Sequence, residues 1–189
     1  GGMLSADTPL PFRPQRVVIA GTTGVGKSTL ARQLAELWGL EYTELDALFH
    51  GPGWTTRPEF LSDVRRVADG DRWVSEWNYF GSGGGQILGE RADLAVWLDL
   101  PRRVARARLL RRTLRRRIRR ERLWNGNVEP PLWTVFRDPG HILRWEMRTH
   151  RTWQTRMPVV AAEYDLPVVR LTHPRDVDRW LAGPAADVR

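Results

Sequence analysis

The sequence predicts an α/β domain in which a parallel sheet carries helices on both faces. Short apolar segments rich in β-branched residues alternate with segments whose apolar residues recur at helical spacing. Such alternation is typical of parallel sheets, because each connection between parallel strands needs a crossover long enough to form a helix. With 189 residues, 41% of them hydrophobic, the chain can form one sizeable core, and we expect a single domain.

Five segments have the composition of strands. "RVVIA" is wholly apolar and predicts a strand buried on both faces, whereas "EYTEL" is a weaker candidate. The predicted strands are 16–20, 41–45, 72–77, 93–100 and 167–171. The predicted helices cover 27–38, 58–69, the arginine-rich segment after Pro101, about 134–157, and 174–182. The glycine-rich residues 81–86 predict a flexible segment. Residues 123–133 end the arginine-rich helix and separate it from the helix predicted at about 134–157.

The carboxyl ends of these strands place polar residues at one edge of the sheet, where open α/β sheets bind ligands. The residues at these ends are Gly21, Asp46, Glu76, Asp99 and Thr172. We expect a structural role for Asp99, which lies just before Pro101.

Composition narrows the possible functions. There is no cysteine and there are only four histidines, which argues against disulfides and a transition-metal site. No membrane span or export signal is evident, so we expect a cytoplasmic protein. The net charge is +8, yet residues 102–122 alone carry twelve arginines and one glutamate. A short anion-binding segment therefore lies in an otherwise slightly acidic chain.

The segment "GTTGVGKS" (21–28) contains the only lysine among 30 basic residues and matches the phosphate-binding pattern G-x-x-x-x-G-K-[ST]. A buried strand precedes it and an amphipathic helix follows, as the pattern requires. Backbone N–H groups of such a loop surround a phosphate, Lys27 reaches the β- and γ-phosphates, and Ser28 offers a hydroxyl to Mg²⁺. The alternative is an ordinary glycine-rich turn. The predicted nucleotide-binding residues here are Gly21, Thr22, Thr23, Gly24, Val25, Gly26, Lys27, Ser28 and Thr29.

From residue 16 to about 182 the chain resembles the adenylate-kinase-like branch of P-loop proteins, which contains small-molecule and nucleoside monophosphate kinases. "LDALFHGPGW" (45–54) and "SEWNY" (75–79) resemble, more narrowly, the bacterial topology modulation proteins, although Glu76-Trp77 stands where Asp-Gly is usual. The resemblance implies a P-loop NTPase fold with a five-stranded parallel sheet in the order 2-3-1-4-5. It also implies a domain spanning 16–183, with an arginine-rich helical lid at about 112–150. Residues 1–15 are then an expression scar and N-terminal tail, and 184–189 a C-terminal tail.

Two acidic residues have predicted roles. Glu76 follows an apolar strand and would orient Mg²⁺ through water together with Ser28. Asp46 corresponds to an acid that, in similar kinases, holds an acceptor hydroxyl or acts as its base. The alternatives are a surface glutamate at a strand end and a helix N-cap.

The arginine segment resembles the adenylate kinase helix that carries one arginine against the adenine and another, four residues later, at the phosphates. "LDLPRRVARARLLRR" places Arg108 and Arg112 in these roles, on one helix face. Further lid arginines would be Arg115, Arg116, Arg119, Arg144, Arg148 and Arg151. The alternative for most of them is a solvated basic helix.

Two further groups of residues complete the predicted site. In "RLTHPRDV" (170–177), His173 and Arg175 correspond to positions that contact the adenine, although the segment could simply begin a helix. The acceptor pocket is predicted to contain Asp46, Arg57, Asn78 and Tyr79. The aromatic residues Phe49, Trp54, Trp77 and Tyr79 would stack on an acceptor ring.

These observations favour an ATP- and Mg²⁺-dependent phosphotransferase acting on a small acceptor, which could be a nucleoside or nucleotide. Lys27, Asp46 and Arg112 are its predicted catalytic residues. A nucleic-acid-associated ATPase remains an alternative because of the basic segment, as does a nucleotide-dependent switch. We expect a monomer or homodimer without membrane attachment.

Overall fold

The computed structural model describes residues 3–22, 25–49, 57–124 and 139–189. Its strands are β1 (Met3–Leu4), β2 (Arg16–Gly21), β3 (Glu41–Tyr42), β4 (Trp73–Glu76), β5 (Leu94–Leu98) and β6 (Val168–Leu171). Its helices are α1 (Lys27–Trp38), α2 (Leu45–Phe49), α3 (Phe60–Ala68), α4 (Gly84–Arg91), α5 (Arg102–Trp124), α6 (Pro139–Glu163), α7 (Pro174–Ala182) and α8 (Pro184–Asp187).

The strands form one parallel sheet in the order β1-β6-β5-β2-β4-β3. The predicted number of five strands is wrong, because a sixth strand lies at the edge of the sheet, beside β6, and extends the predicted order 2-3-1-4-5. The five predicted strands keep that order relative to one another, as β3-β4-β2-β5-β6. The sixth strand comes from the segment predicted as an N-terminal tail. Met3 and Leu4 pair with Val168 and Val169. A two-residue strand has too little sequence pattern to be recognised without its partner.

Alternate residues of the central strands enter two cores on opposite faces of the sheet, as the strand period of two requires. Val17, Ile19, Val96 and Leu98 face the core covered by α1 and α7. Val18, Ala20, Ala95 and Trp97 face the core covered by α3, α4 and α6. The sheet is thus buried on both sides, which explains why β2 and β5 read as continuous apolar runs.

Both ends of the chain pack against the first of these cores. Ala6 and Leu10 are buried there. Trp38 donates its indole N–H to the carbonyl of Ala185 at 2.9 Å, which fixes α8 where a C-terminal tail was predicted. The domain boundaries at 16 and 183 stay predictions, and Gly1 and Gly2 lie outside the described residues.

The glycine-rich segment 81–86 is not wholly a flexible loop, because α4 begins within it at Gly84. Leu88 is fully buried in the second core, and the Trp77 indole donates to the carbonyl of Gly85 at 2.9 Å. Tertiary packing therefore stabilises a helix that glycine disfavours locally.

Aspartate side chains hold the strands in place at both their amino-terminal and their carboxyl-terminal ends. Asp93 accepts backbone hydrogen bonds from Gln15 and Arg16, at 2.9 and 3.2 Å, where β2 begins. At the carboxyl-terminal end of β5, Asp99 accepts a hydrogen bond of 2.6 Å from Arg170 and another of 2.6 Å from Gln154. Asp99 thus has the structural role expected of it, and the carboxyl ends of β5 and β6 are tied to α6.

Two fully buried tryptophans provide a matched test of packing. Trp38 and Trp180 meet edge to face, with ring centroids 5.8 Å apart. The Trp38 N–H is hydrogen-bonded, whereas the buried Trp180 N–H has no partner among the described residues. Trp38→Phe removes a hydrogen bond and leaves a carbonyl without it, so we expect it to lower the free energy of unfolding by about 1–2 kcal/mol more than Trp180→Phe. Urea unfolding of both variants measures the difference. Equal losses would contradict it.

Candidate functional site

The loop between β2 and α1 approaches α5 and β5 closely. Gly26 has a left-handed backbone with φ of 105°, and a Cβ atom there would lie 3.0 Å from the guanidinium of Arg108. A Cβ at Gly21 would lie 2.9 Å from both the Leu98 carbonyl and the Val25 side chain. Only glycine fits these two positions without displacing neighbours. The predicted loop residues Thr23 and Gly24 lie outside the described residues.

Lys27 is the first residue of α1. Its ammonium group donates a hydrogen bond to the Gly21 carbonyl at 2.9 Å, across the loop. Burial lowers the pKa of Lys27, the nearby carboxylates of Glu76 and Asp46 counteract this, and Arg112 lowers the pKa further. Three of the predicted site residues therefore act on Lys27 electrostatically.

A cavity of about 660 Å³ lies over the start of α1. It brings together the loop, the end of β4 and one face of α5, together with α7. Its lining comprises Val25, Gly26, Lys27, Ser28, Thr29, Leu30, Gln33, Glu76, Leu98, Arg108, Arg111, Arg112, Arg115, Arg116, Arg119, Pro174, Val177 and Asp178. The predicted metal-binding pair, Ser28 and Glu76, thus lines one cavity with Lys27.

The arginines of the cavity all lie on α5. Arg108 donates to the Val25 carbonyl at 2.5 Å and so connects α5 directly to the loop. Burial and the neighbouring Arg116 lower the pKa of Arg112, while Glu76 and Asp46 oppose the shift. Arg112 therefore lies within electrostatic range of both acids. The centre of the predicted lid, residues 125–138, lies outside the described residues.

A group of acidic and phenolic side chains adjoins Lys27. Burial raises the pKa of Glu76, with Lys27 acting against this and the charges of Asp46 and Glu44 adding to it. Burial and the same three carboxylates raise the pKa of Tyr42 to about 12. The Tyr42 hydroxyl is buried and has no partner within ordinary hydrogen-bond distance among the described residues. It still lies close enough to Glu76 to lower the pKa of the Glu76 carboxyl, which favours the ionised carboxylate.

Three of the four predicted acceptor residues lie near this group. Tyr79 donates its hydroxyl hydrogen bond to Asp46 and has a left-handed backbone, with φ of 62°, that a tyrosine rarely adopts. Burial and Asp46 raise the pKa of Tyr79. The side-chain oxygen of Asn78 is buried and has no hydrogen-bond partner among the described residues. Strain and an unpaired polar atom at neighbouring positions are typical of a functional site.

Arg57, the fourth predicted acceptor residue, is already engaged by protein groups. Its guanidinium lies 3.2 Å from Asp63 and 3.8 Å from Glu59, and it donates to the Leu48 carbonyl. Asp63 is buried, which makes this ion pair part of the packing of α3. An acceptor phosphate would have to compete with two carboxylates for Arg57.

The three predicted aromatic residues that the structure describes do not form an open stacking surface. Phe49 and Tyr79 stack on each other with centroids 4.5 Å apart. Trp77 is fully buried in the second core, and Trp54 lies outside the described residues.

The two residues predicted to contact the adenine lie at the start of α7, next to residues that line the cavity. His173 and Arg175 are exposed and do not line the cavity, whereas Pro174, Val177 and Asp178 do. The side chains of Arg144 and Arg148 lie outside the described part of α6, and Arg151 lines a different groove.

The sequence did not indicate several residues of this site. Gln33, Val177 and Asp178 line the cavity because α1 and α7 pack around it, and His150 lies 3.4 Å from the Thr22 hydroxyl. Helical spacing from Pro174 could have indicated Asp178, since residues 174 and 178 share a helix face.

The architecture matches solved structures of small kinases. A gluconokinase from Sinorhizobium meliloti 1021 aligns with a TM-score of 0.51 and 20% identity over 94% of this chain and 95% of that chain. A shikimate kinase from Acinetobacter baumannii, in complex with shikimate, aligns with a TM-score of 0.51 and 17% identity over 92% and 88%. A shikimate kinase from Bacteroides thetaiotaomicron gives a TM-score of 0.52 and 13% identity over 89% and 95%.

The chain has the fold of a P-loop kinase. At these identities the likeness establishes the fold alone. No protein-family model matches the chain, and no curated protein matches it in sequence. The narrower resemblance to topology modulation proteins therefore stays a prediction. In the described ranges no helix is long and apolar enough to cross a membrane, and no three His, Cys, Asp or Glu side chains are grouped as a metal site.

The raised pKa of Glu76 predicts a pH effect on stability. Between the ordinary pKa of 4.5 and the raised one, the unfolded chain loses its proton before the folded protein does. Stability from this group should therefore fall as pH rises through that window and stay reduced above it. In Glu76→Gln this contribution is absent, so its melting temperature relative to wild type should increase with pH. Thermal unfolding at closely spaced pH values, with exposed Glu90→Gln as control, tests this. A difference that is constant with pH would contradict it.

Proposed function

We propose that the protein is an ATP- and Mg²⁺-dependent phosphotransferase that transfers the γ-phosphoryl group to a small acceptor. One observation carries the proposal: a single cavity contains the start of α1 with Lys27 and Ser28, the Glu76 carboxylate, and six arginines of α5. Catalysis of phosphoryl transfer consists mainly of positioning and charge stabilisation, which Lys27, Ser28 and Glu76 are suited to provide together with two of these arginines, Arg108 and Arg112.

The loop suits a triphosphate tail. Glycine at positions 21 and 26 keeps the backbone close to its neighbours, and the positive end of the α1 dipole points into the cavity. Lys27 has no ion pair with a carboxylate among the described residues, so its buried charge is available to an anion. Arg108, together with Pro174 and Val177, would border the nucleoside. The adenine contacts proposed from sequence for His173 and Arg175 would require the nucleoside to extend beyond the cavity lining.

The donor set also suits Mg²⁺, which prefers oxygen ligands and is usually held by few protein groups together with substrate phosphates. The Ser28 hydroxyl and the Glu76 carboxylate are the residues that would hold it. When bound, the ion would neutralise charge on the triphosphate.

The acidic group beside Lys27 suits the acceptor. In the reaction, an acceptor oxygen forms a bond to the γ-phosphorus while the bond to the β–γ bridging oxygen breaks, and a nucleoside diphosphate leaves. For a hydroxyl acceptor, Asp46 would take the proton, while Tyr79 and Asn78 orient the acceptor. Arg112, in electrostatic range of Asp46 and Glu76, would stabilise the charge that develops on the transferred group.

Two lines of likeness support a small acceptor. The structural neighbours described above are a gluconokinase and shikimate kinases. The sequence resemblance to adenylate-kinase-like proteins points the same way. The basic segment also supports a second candidate, a nucleic-acid-associated ATPase, but six of its twelve arginines line the cavity that contains the start of α1. We further propose a cytoplasmic monomer or homodimer.

Replacement of Lys27 tests the donor site. Lys27→Ala should weaken MgATP binding by about 100-fold or more and abolish transfer, because a buried charge-assisted contact is lost. Isothermal titration calorimetry measures the affinity, and circular dichroism checks that the fold is intact. Arg32→Ala, which removes an exposed positive charge of the same helix outside the cavity, is the control. Wild-type affinity in Lys27→Ala would refute the donor site.

Replacement of Asp46 tests the acceptor side. With the best hydroxyl acceptor from a panel of nucleosides, sugars and sugar acids, Asp46→Asn should lower kcat by about 10²–10⁴-fold, because it removes the proposed base. MgATP affinity should change little. Glu44→Gln is the matched control, since Glu44 is a nearby exposed carboxylate that pairs with Arg32. A kcat near that of wild type would exclude Asp46 as base.

A further inference from the structure

The cavity carries more positive charge than a nucleotide can neutralise. Among its described lining residues, Lys27 and six arginines face two carboxylates, Glu76 and Asp178, an excess of five positive charges. A Mg²⁺-bound nucleoside triphosphate brings roughly two net negative charges. About three positive charges therefore remain without a counter-charge in the loaded site, where neighbouring like charges repel one another.

The arginines form two parallel rows on one face of α5. Arg108, Arg112 and Arg116 follow one another at intervals of four residues, and so do Arg111, Arg115 and Arg119. Each row extends about 12 Å along the helix, at 1.5 Å per residue. We call them the first and second rows. Arg102, Arg103, Arg106 and Arg117 lie on the opposite face of the helix and do not line the cavity.

The first row belongs with the nucleotide. Arg108 is bonded to the loop carbonyl of Val25, and Arg112 lies in electrostatic range of Glu76 and Asp46. The second row has neither connection. Within the described residues, no carboxylate lies within ion-pair distance of Arg111, Arg115 or Arg119, although Arg57 and Arg66 both pair with Asp63.

We propose that the second row, Arg111, Arg115 and Arg119, binds a second anionic group, a phosphate monoester carried by the acceptor. The proposal rests on the proposed function, and it assigns the acceptor to the phosphorylated class of small molecules. It also moves acceptor-phosphate binding from Arg57, which Asp63 and Glu59 occupy, to α5. Arginine suits this role because its planar fork binds phosphate through two hydrogen bonds.

Phosphate binding to nucleotide-loaded protein tests the proposal without knowledge of the acceptor. The protein is saturated with Mg²⁺ and a non-hydrolysable ATP analogue at low ionic strength, and inorganic phosphate is titrated in by calorimetry. We expect one phosphate per chain to bind. In the double variant Arg115→Gln/Arg119→Gln, phosphate affinity should fall at least tenfold, while analogue affinity changes less than threefold. Arg65→Gln/Arg103→Gln removes two exposed positive charges outside the cavity and should leave both affinities unchanged.

Each outcome decides a separate point. Absence of phosphate binding to loaded wild type, or equal phosphate affinity in the two double variants, would overturn the second-row site. Loss of phosphate and analogue together in Arg115→Gln/Arg119→Gln would also overturn it, because both rows would then serve the triphosphate. If the analogue itself does not bind, the proposed function fails, and titration of phosphate into ligand-free protein tests the second row alone.

Two further arms separate the acceptor class from other anions. Transfer to a nucleoside is compared with transfer to its 5′-monophosphate, and transfer to glucose with transfer to glucose 6-phosphate. The phosphorylated member of a pair should have at least a tenfold higher kcat/KM, an advantage that Arg115→Gln/Arg119→Gln reduces. A preference for the neutral member would overturn the proposal. So would tight binding of a single-stranded oligonucleotide that the same variant abolishes, which would indicate a nucleic-acid surface.

Discussion

The burial of the charged ammonium group of Lys27 is the constraint on which the rest of the site depends. Burial disfavours its charge, and the charge is maintained by two carboxylates on separate elements, Glu76 at the end of β4 and Asp46 in α2. Those carboxylates are themselves coupled, since Asp46 raises the pKa of Glu76. Lys27 thus lies at the carboxyl ends of the strands and forms no ion pair with a carboxylate among the described residues. An added anion can replace the lost hydration.

Charge is separated across the carboxyl edge of the sheet. On one side are α5 and its arginines, joined to the loop through Arg108. On the other side are Asp46 and Tyr79, which are hydrogen-bonded to each other and do not line the cavity. Lys27 and Glu76 line the cavity with the arginines, and Arg112 is the arginine whose pKa both Glu76 and Asp46 affect. Under the proposed function, such an arrangement would give a transferred phosphoryl group a positively charged donor side and, in Asp46, a proton acceptor on the acceptor side.

The packing shows how the fold keeps these groups in place. β2 is central in the sheet, between β5 and β4, so the loop that follows it is supported from both sides. α4 starts directly below Tyr79, where the Gly85 N–H donates to the Tyr79 carbonyl at 3.2 Å. The strained backbone of Tyr79 is therefore stabilised by the helix that sequence reasoning had assigned to a flexible segment. Local strain near a site is maintained by such surrounding contacts.

The sequence by itself determined the parallel α/β class, and it predicted the loop at 21–28 and the side of the sheet on which the proposed site lies, because these follow from short-range patterns. Tertiary structure alone decided the sixth strand, the helix at Gly84, the engagement of Arg57 by Asp63, and which arginines of α5 face the loop. Each of these depends on a partner far away in sequence: Val168 for the first strand, the Trp77 indole for α4, α3 for Arg57, and the loop carbonyl of Val25 for α5. A local pattern contains no information on which distant surface a residue meets, and packing supplies it.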